Sequence, residues 1–150
     1  MALTNENWNG KRVLVTGGAG FIGSVLVWEL NRRGCSQVAI ADFPAQREKC
    51  ANLAGLRYTE IIEPAELPAG LASGSMGKLD CIFHLGACSS TTETNEKYLR
   101  ENNYEYSRTL RNGRSGQACD LSMLLPRRHT ETAARAWMIR IRASWNGCAR

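Results

Sequence analysis

The sequence lacks the features of membrane-spanning and exported proteins. Its longest apolar runs, near Val13 and Val25, extend for a few residues each, whereas a membrane-spanning helix needs roughly 20. No charged start is followed by an apolar stretch of the length that a secretory signal contains. We therefore expect a cytoplasmic protein without a membrane partner.

The sequence also lacks paired cysteines. It contains six, at positions 35, 50, 81, 88, 118 and 148, and none forms a C-x-x-C pair of the kind found in many metal and redox sites. In the cytoplasm such cysteines are mostly free thiols, several of them buried as small apolar residues. We expect no metal site, and the length of 150 residues suits one domain with a hydrophobic core.

Lysine and acidic residues become scarce after residue 110. Residues 111–150 contain eight arginines, no lysine and two acidic residues, whereas residues 1–110 carry 11 basic and 12 acidic side chains. The net charge of +5 therefore comes from the last 40 residues alone. This break divides the chain into a first part, 1–110, and a basic tail, 111–150.

The first part begins with the pattern of a strand, a helix and a second strand. Val13-Leu14-Val15 is an apolar run typical of a buried parallel strand. Apolar residues at helical spacing follow from Phe21 to Leu30, and Gly34 suits the end of that helix. Val38–Ala41 predicts the second strand. This β-α-β unit indicates an α/β fold, the N-terminal part of a doubly wound parallel sheet of the Rossmann type.

Later segments predict further elements of the same sheet. We expect a short helix near Gln46–Leu53, a weak strand near Leu56–Ile61 and a loop or short helix after it. Cys81–Leu85 predicts another buried strand, and residues 95–110 a helix. The expected inner stripe of that helix consists of Tyr98, Leu99, Asn102, Tyr106 and Leu110.

Three glycines between the first strand and the first helix form a G-x-x-G-x-x-G turn. Gly17 allows a tight exit from the strand, Gly20 lets the backbone approach a pyrophosphate, and Gly23 lets the helix pack closely. The helix start beyond them offers unpaired N–H groups to phosphate. Because the turn follows a strand and opens an amphipathic helix, it predicts a site for NAD or NADP rather than a purely structural turn.

An acidic residue follows the second strand at the position that such a site requires. Asp42 lies 19 residues after Gly23, where its carboxylate can accept hydrogen bonds from the adenosine ribose. Alone it favours NAD, because a 2′-phosphate would meet its negative charge. Lys49 or Arg47 could reverse that preference, and a solvated loop aspartate is the alternative.

Three stretches resemble a known family. V-T-G-G-A-G-F-I-G-S, from Val15 to Ser24, resembles the extended short-chain dehydrogenases/reductases. The stretches from His84 to Glu93 and from Asn102 to Ser107 narrow the resemblance to the ADP-heptose epimerases of lipopolysaccharide core synthesis. The resemblance covers roughly residues 10 to 110. It implies homo-oligomeric isomerases that use NADP or NAD to epimerise the C6″ centre of a nucleotide sugar, with another nucleotide-sugar epimerase or dehydratase as the alternative.

The resemblance also implies a set of cofactor-binding residues. Phe43 stands where the family usually has asparagine, and Pro64 where it has a second lysine, which weakens any choice of NADP over NAD. His84 and Cys88 could instead be a satisfied core histidine and a buried small residue. Besides the three glycines and Asp42, the implied cofactor residues are Phe21, Ile22, Phe43, Lys49, Leu85, Gly86, Ala87, Cys88, Ser89 and Asn102.

The catalytic residues of the family are missing. The superfamily uses a Tyr-x-x-x-Lys pair with a nearby serine or threonine, in which the tyrosine exchanges a proton with the sugar. The tyrosines at 58, 98, 104 and 106 are followed four residues later by Ile62, Asn102, Arg108 and Leu110. We therefore assign no catalytic residue, and we expect the truncated chain, which lacks a substrate domain, to be inactive.

The tail is compatible with a shift of reading frame after Leu110. Codons for residues 122–133 can be chosen so that the neighbouring frame reads Y-A-S-S-A-A-T-Y-G-D-G, which contains the serine loop expected in the family. We therefore expect an out-of-frame tail outside the fold, an uncovered sheet edge and marginal stability. The alternatives are a genuine basic tail that binds nucleic acid, which we do not expect, and a dinucleotide-binding module without chemistry.

Overall fold

The fold alternates strands and helices along the chain. The computed structural model describes residues 8–43, 47–88, 90, 92–112 and 120–123. The strands are β1 (Arg12–Thr16), β2 (Gln37–Ala41), β3 (Glu60–Ile62), β4 (Cys81–His84) and β5 (Asp120–Met123). The helices are α1 (Phe21–Arg32), α2 (Arg47–Asn52), α3 (Leu67–Ser73), α4 (Glu96–Leu99) and α5 (Tyr106–Asn112), with a π-helical turn (Arg100–Glu105) between the last two.

The five strands form one parallel sheet in the order β3-β2-β1-β4-β5. The central strand β1 places Leu14 opposite Ala39 of β2 on one side and Ile82 of β4 on the other. This order confirms the predicted doubly wound α/β fold. The strand order reverses direction between β1 and β4, so a crevice is expected at the carboxyl ends of these two strands.

The core has two layers because alternate residues of each strand face opposite sides of the sheet. Val13 and Val15 pack with Val27 and Leu30 of α1 on one side. Leu14 packs on the other side with residues of α3 and α5, including Leu67, Leu71 and Leu110. Both faces of β1 are thus covered by helices, which explains why its sequence is continuously apolar.

The third strand is shorter than predicted. A strand was expected near Leu56–Ile61, but β3 begins at Glu60. Leu56 closes a turn after α2 by donating to Leu53, and the next residue, Arg57, donates its backbone N–H to the side chain of Asn31 on α1. The pairing with β2 therefore begins only where Thr59 bonds the carbonyl of Val38. The short helix near residues 46–53 is confirmed by α2.

The helix near residues 95–110 is interrupted by the π-helical turn. Tyr98 was expected on the inner stripe, but it is 42% exposed while Ser107 and Leu110 are buried. A π-turn accommodates one extra residue and rotates the following side chains around the axis by about 100°. The inner face therefore contains Asn103, Ser107 and Leu110, and the predicted stripe is wrong at Tyr98.

Part of the basic tail lies in the sheet. Asp120–Met123 form β5, parallel to β4, with Leu121 opposite Ile82, and α5 extends past Leu110 to Asn112. These residues belong to the segment that was expected to lie outside the fold. The rest of that segment lies outside the described residues. Within the described ranges, no helix is long and apolar enough to cross a membrane.

Candidate functional site

The glycine turn closes tightly between β1 and α1. Gly17 has a φ of +70°, and its N–H donates to the carbonyl of Ala41 on β2 at 2.8 Å. The first helical bond of α1 runs from Ser24 N–H to the carbonyl of Gly20 at 2.9 Å. The amides of Phe21, Ile22 and Gly23 precede that bond, so the helix itself offers them no acceptor. The turn therefore presents donors suited to a pyrophosphate.

Gly17 and Gly23 are required by close backbone contacts. A Cβ on Gly17 would lie 2.9 Å from the backbone of Gly86, in the loop after β4. A Cβ on Gly23 would overlap the carbonyl oxygen of Gly17, whereas Gly20 faces only that oxygen, at 3.2 Å. Gly23 thus allows closure of the turn itself, which corrects the expectation that it serves helix-to-sheet packing. Gly18, which the sequence analysis did not single out, fits against Ile40 of β2.

Asp42 connects the end of β2 to the glycine turn. The residue is 3% exposed, and Oδ2 accepts from the backbone N–H of Ala19 at 2.9 Å. Oδ1 accepts from the N–H of Phe43 at 2.8 Å and forms an ion pair with Lys49 Nζ at 2.7 Å. The alternative of a solvated loop aspartate is therefore wrong. The bonds to Ala19 and Lys49 place this carboxylate against the turn.

Helix α2 packs beside the same carboxylate. Lys49 Nζ also lies 5.3 Å from the centre of the Phe43 ring, which is 51% exposed. Asn52 Nδ2 donates to the carbonyl of Ala19 at 2.9 Å and so joins α2 to the glycine turn. Asn52 was missed by the sequence analysis because no motif contains it. The side chain of Arg47 lies outside the described residues.

The loop after β4 completes the site on the other side of β1. The N–H groups of Leu85 and Gly86 donate to Thr16 Oγ1 at 3.2 and 3.1 Å. Cys88 is bonded twice by Asn103, which accepts from its N–H at 2.8 Å and donates to its carbonyl at 3.1 Å. The loop is thus held at both ends, with Ala87 between them. Ser89, also predicted for this site, lies outside the described residues.

Asn103, the neighbour of the predicted Asn102, holds the loop after β4. Asn102 was predicted to line the cofactor site, and its Nδ2 donates at 3.0 Å to Oδ1 of Asn103. Asn102 is therefore one residue removed from the loop after β4. The sequence signal for this contact is the pair of consecutive asparagines, Asn102 and Asn103. The phase of the helix determines which of them reaches the loop.

His84 has hydrogen bonds at both ring nitrogens. Nδ1 lies 2.6 Å from Thr16 Oγ1 and Nε2 lies 2.9 Å from Ser107 Oγ, and the side chain is fully buried. Burial lowers the pKa of His84 to about 4. The alternative of a satisfied core histidine is confirmed. Within the described residues, no three His, Cys, Asp or Glu side chains are grouped to hold a metal ion.

The remaining predicted residues lie on the outer side of the turn. Phe21 and Ile22 are 82% and 61% exposed at the start of α1.

Tyr106 packs beside His84, with ring centres 5.8 Å apart, and burial raises its pKa to about 12. Among the described residues its hydroxyl is buried without a hydrogen-bond partner. Because it is buried and its pKa is raised, Tyr106 is unsuited to proton transfer.

The glycine turn, the carboxylate of Asp42 and the loop after β4 lie at the carboxyl ends of β1, β2 and β4. Doubly wound folds bind dinucleotides at this edge of the sheet. Residues 13–113 match the NAD dependent epimerase/dehydratase family. This match covers more than half of the chain, and the chain therefore belongs to that family. The expectation of a nicotinamide dinucleotide cofactor is confirmed at the level of the family.

A curated relative narrows the resemblance. Over 99 residues, the chain is 46% identical to the ADP-L-glycero-D-manno-heptose-6-epimerase of Alkalilimnicola ehrlichii. The aligned part comprises 65% of this chain and 31% of the relative. The resemblance derived from the motifs is thus confirmed for the N-terminal part, and the chain spans about a third of the length of this relative.

Solved structures share the fold. The enzyme WbmF of Bordetella bronchiseptica in complex with NAD+ matches with a TM-score of 0.60 and 21% identity, covering 84% of this chain and 42% of that one. WbmF in complex with NADH matches with a TM-score of 0.57 and 25% identity, covering 77% and 35%. The cofactors named are those of WbmF, and at this identity the likeness establishes the fold.

Proposed function

We propose that the chain is the dinucleotide-binding part of a nucleotide-sugar epimerase. The observation that carries the proposal is the contact of Asp42 with Ala19, which brings a buried carboxylate against a glycine turn with free amide donors. The amides of Phe21 and Ile22 would bind the pyrophosphate, and Asp42 the adenosine ribose. Phe43, Lys49 and the loop from Leu85 to Ser89 would complete the cofactor site.

The cofactor would supply hydride chemistry, since a nicotinamide takes and returns hydride. The residues of this chain orient it. Gly17 and Gly86 leave no side chain between the turn and the loop after β4, so their backbones can approach a bound group closely. The buried carboxylate of Asp42, held by two N–H donors and Lys49, is preorganised to accept hydrogen bonds from ribose hydroxyls.

Binding can be tested on the full chain by titrating NADH and following energy transfer from tryptophan, of which the chain has four. We expect saturable binding that NAD+ displaces. Asp42→Ala should weaken binding at least tenfold, while the control Lys78→Ala, at an exposed residue before β4, should leave it within about twofold, given 1.4 kcal/mol per tenfold. No saturable binding by the folded wild-type chain would overturn the proposal.

The substrate of the intact enzyme is proposed to be ADP-D-glycero-D-manno-heptose. The 46% identity to the Alkalilimnicola epimerase supports this choice over other nucleotide sugars. A chimera that joins residues 1–110 to the C-terminal part of that enzyme tests it. We expect epimerisation of the ADP-heptose by this chimera and none by the equivalent chimera with a UDP-galactose epimerase. Two inactive, folded chimeras would contradict the assignment.

The chain alone is proposed to be inactive, because its sequence contains no Tyr-x-x-x-Lys pair. Turnover of ADP-heptose by the purified chain would refute this. The same absence favours a second candidate function, a dinucleotide-binding module without chemistry. Cofactor binding without turnover, together with a defined protein partner, would support the second candidate over the first.

The tail is proposed to result from a shifted reading frame after Leu110. In the neighbouring frame, residues 118–124 can read V-R-L-I-Y-A-S, a strand that would occupy the same positions as β5. Resequencing the gene across Leu110 and Arg111 tests the proposal. An uninterrupted frame would mean that the tail is genuine, and salt-sensitive DNA binding lost on deleting residues 111–150 would then support a nucleic-acid function.

A further inference from the structure

A buried histidine joins three elements of the fold behind the candidate cofactor site. His84 ends β4, and its ring contacts Thr16 at the end of β1 and Ser107 on α5, with Nδ1 to Oγ1 at 2.6 Å and Nε2 to Oγ at 2.9 Å. All three side chains are buried, with at most 3% of each residue exposed. The proposed dinucleotide site does not use any of these groups directly.

The direction of each hydrogen bond follows from the acceptors present. The Ser107 hydroxyl donates to the carbonyl oxygen of Asn103, an atom that can only accept. Ser107 Oγ therefore accepts from His84 Nε2, which must carry the ring proton. His84 Nδ1 then has a free lone pair and accepts from the Thr16 hydroxyl. This assignment leaves the oxygen lone pairs of Thr16 available to other donors.

Those lone pairs hold the loop after β4. Thr16 Oγ1 accepts from the amide of Gly86 at 3.1 Å and shares the amide of Leu85, at 3.2 Å, with the Thr16 carbonyl, which lies 3.1 Å from it. At the other end of the loop, Asn103 binds both backbone groups of Cys88 through its side chain. The backbone carbonyl of the same Asn103 receives the Ser107 proton. Both ends of the loop are therefore fixed by residues that His84 connects.

We propose that His84 is a positioning residue, which fixes the loop Leu85–Cys88 in its cofactor-binding conformation by accepting from Thr16 and donating to Ser107. The inference rests on the proposed function, since it assumes that this loop contacts a dinucleotide. His84 is enclosed and touches no space that a ligand could enter. It acts through the orientation of the hydroxyl groups of Thr16 and Ser107.

Two substitutions of His84 affect its hydrogen bonds to Thr16 and to Ser107 differently. His84→Asn retains an acceptor near Thr16 but is too short to reach Ser107, and His84→Gln can donate to Ser107 while its amide is displaced from Thr16. Ser107→Ala removes a single hydroxyl and serves if both histidine variants fail to fold. Leu71→Ala, in the core on α3, is the matched control for a general loss of stability.

Two measurements on the full chain test the proposal. The first is the Kd for NADH, which should rise at least tenfold in His84→Gln and Ser107→Ala and stay within twofold in Leu71→Ala. The second is amide hydrogen exchange at Gly86 and Cys88, which should accelerate in the same two variants and not in the control. Nitrogen-15 NMR of the two histidines should find His84 protonated at Nε2.

The outcomes distinguish the inference from the function on which it rests. Failure of the wild-type chain to bind NADH would remove the proposed function, and the exchange rates would still decide whether His84 holds the loop. NADH binding by folded His84→Gln and Ser107→Ala with the wild-type Kd would overturn the inference while leaving the proposed function intact. A ring protonated at Nδ1 would also overturn it.

Discussion

Lys49 Nζ lies 2.7 Å from Asp42 Oδ1 and 5.3 Å from the centre of the Phe43 ring. One cation therefore neutralises the carboxylate expected at the adenosine ribose and lies beside an exposed aromatic ring. A 2′-phosphate brought to this position would meet a positive charge as well as a negative one. The structure therefore contains contacts suited to each of the two dinucleotides.

Lys49→Met should separate the two cofactors. We expect the Kd for NADPH to rise about tenfold, since a charge-assisted hydrogen bond contributes about 1.5–3 kcal/mol. The Kd for NADH should change less than about threefold, a difference below 1 kcal/mol. Fluorescence titration with both cofactors measures the split, and Lys78→Met, an exposed lysine away from the site, is the control. Equal losses for both cofactors would contradict the expectation.

Gly23→Ala should abolish cofactor binding. The added Cβ would overlap the carbonyl oxygen of Gly17, and backbone on both sides prevents a small adjustment. We expect at least a hundredfold loss of NADH affinity, about 2.8 kcal/mol at 1.4 kcal/mol per tenfold. Gly70→Ala, inside α3, is the matched control, because its Cβ would meet side-chain atoms and no backbone, with Met76 at 3.3 Å and Ser75 at 3.6 Å. The prediction is refuted by wild-type affinity in Gly23→Ala.

Tyr106→Phe should be neutral or stabilising. The Tyr106 hydroxyl is buried without a partner in the part of the chain that the structure describes, and an unsatisfied buried hydroxyl costs about 1–3 kcal/mol. We expect the free energy of unfolding to stay the same or rise by about 1 kcal/mol. Denaturant unfolding of both proteins measures it. A clear loss of stability would mean that the hydroxyl has an acceptor in solution.

Stability should fall with acid over a range set by His84. Burial lowers its pKa from 6.5 to about 4 in the folded chain, so the unfolded chain binds a proton first as the pH decreases. The contribution is complete above pH 6.5, shrinks as the pH falls towards 4, and amounts to about 3 kcal/mol. Denaturant melts of the wild type and His84→Gln across this range measure it. We expect a shallower slope in the variant, and parallel slopes would count against the assignment.

Local patterns were sufficient to predict the first half of the fold. The strand at Val13–Val15, the helix from Phe21 and the glycine turn each depend on neighbouring residues, and all were found. Asp42 was found for the same reason, because it follows directly after a recognisable strand. The start of β3 was misplaced because it depends on Asn31, which lies 26 residues from Arg57.

The second half of the site depends on helix phase and could not be predicted in detail. One π-helical turn, for which the sequence has no recognisable signal, brings Asn103 rather than Asn102 to the loop after β4. Thr16 and Ser107 were missed because each has its role only through His84. The strand β5 was not predicted, because the whole tail was expected to lie outside the fold. That expectation came from the possible codons of the tail, which carry no information on pairing with β4.

The bond between Thr16 and His84 also constrains the order of events in folding. These residues are 68 positions apart in the sequence, because β2 and β3, which lie on the other side of β1, come between β1 and β4 along the chain. Contacts of such long sequence separation form late and slow the folding of a chain. During synthesis, the glycine turn would emerge early. The loop after β4 could form all its hydrogen bonds only once α5 had been synthesised. An unfinished chain would therefore carry the turn without its partner loop.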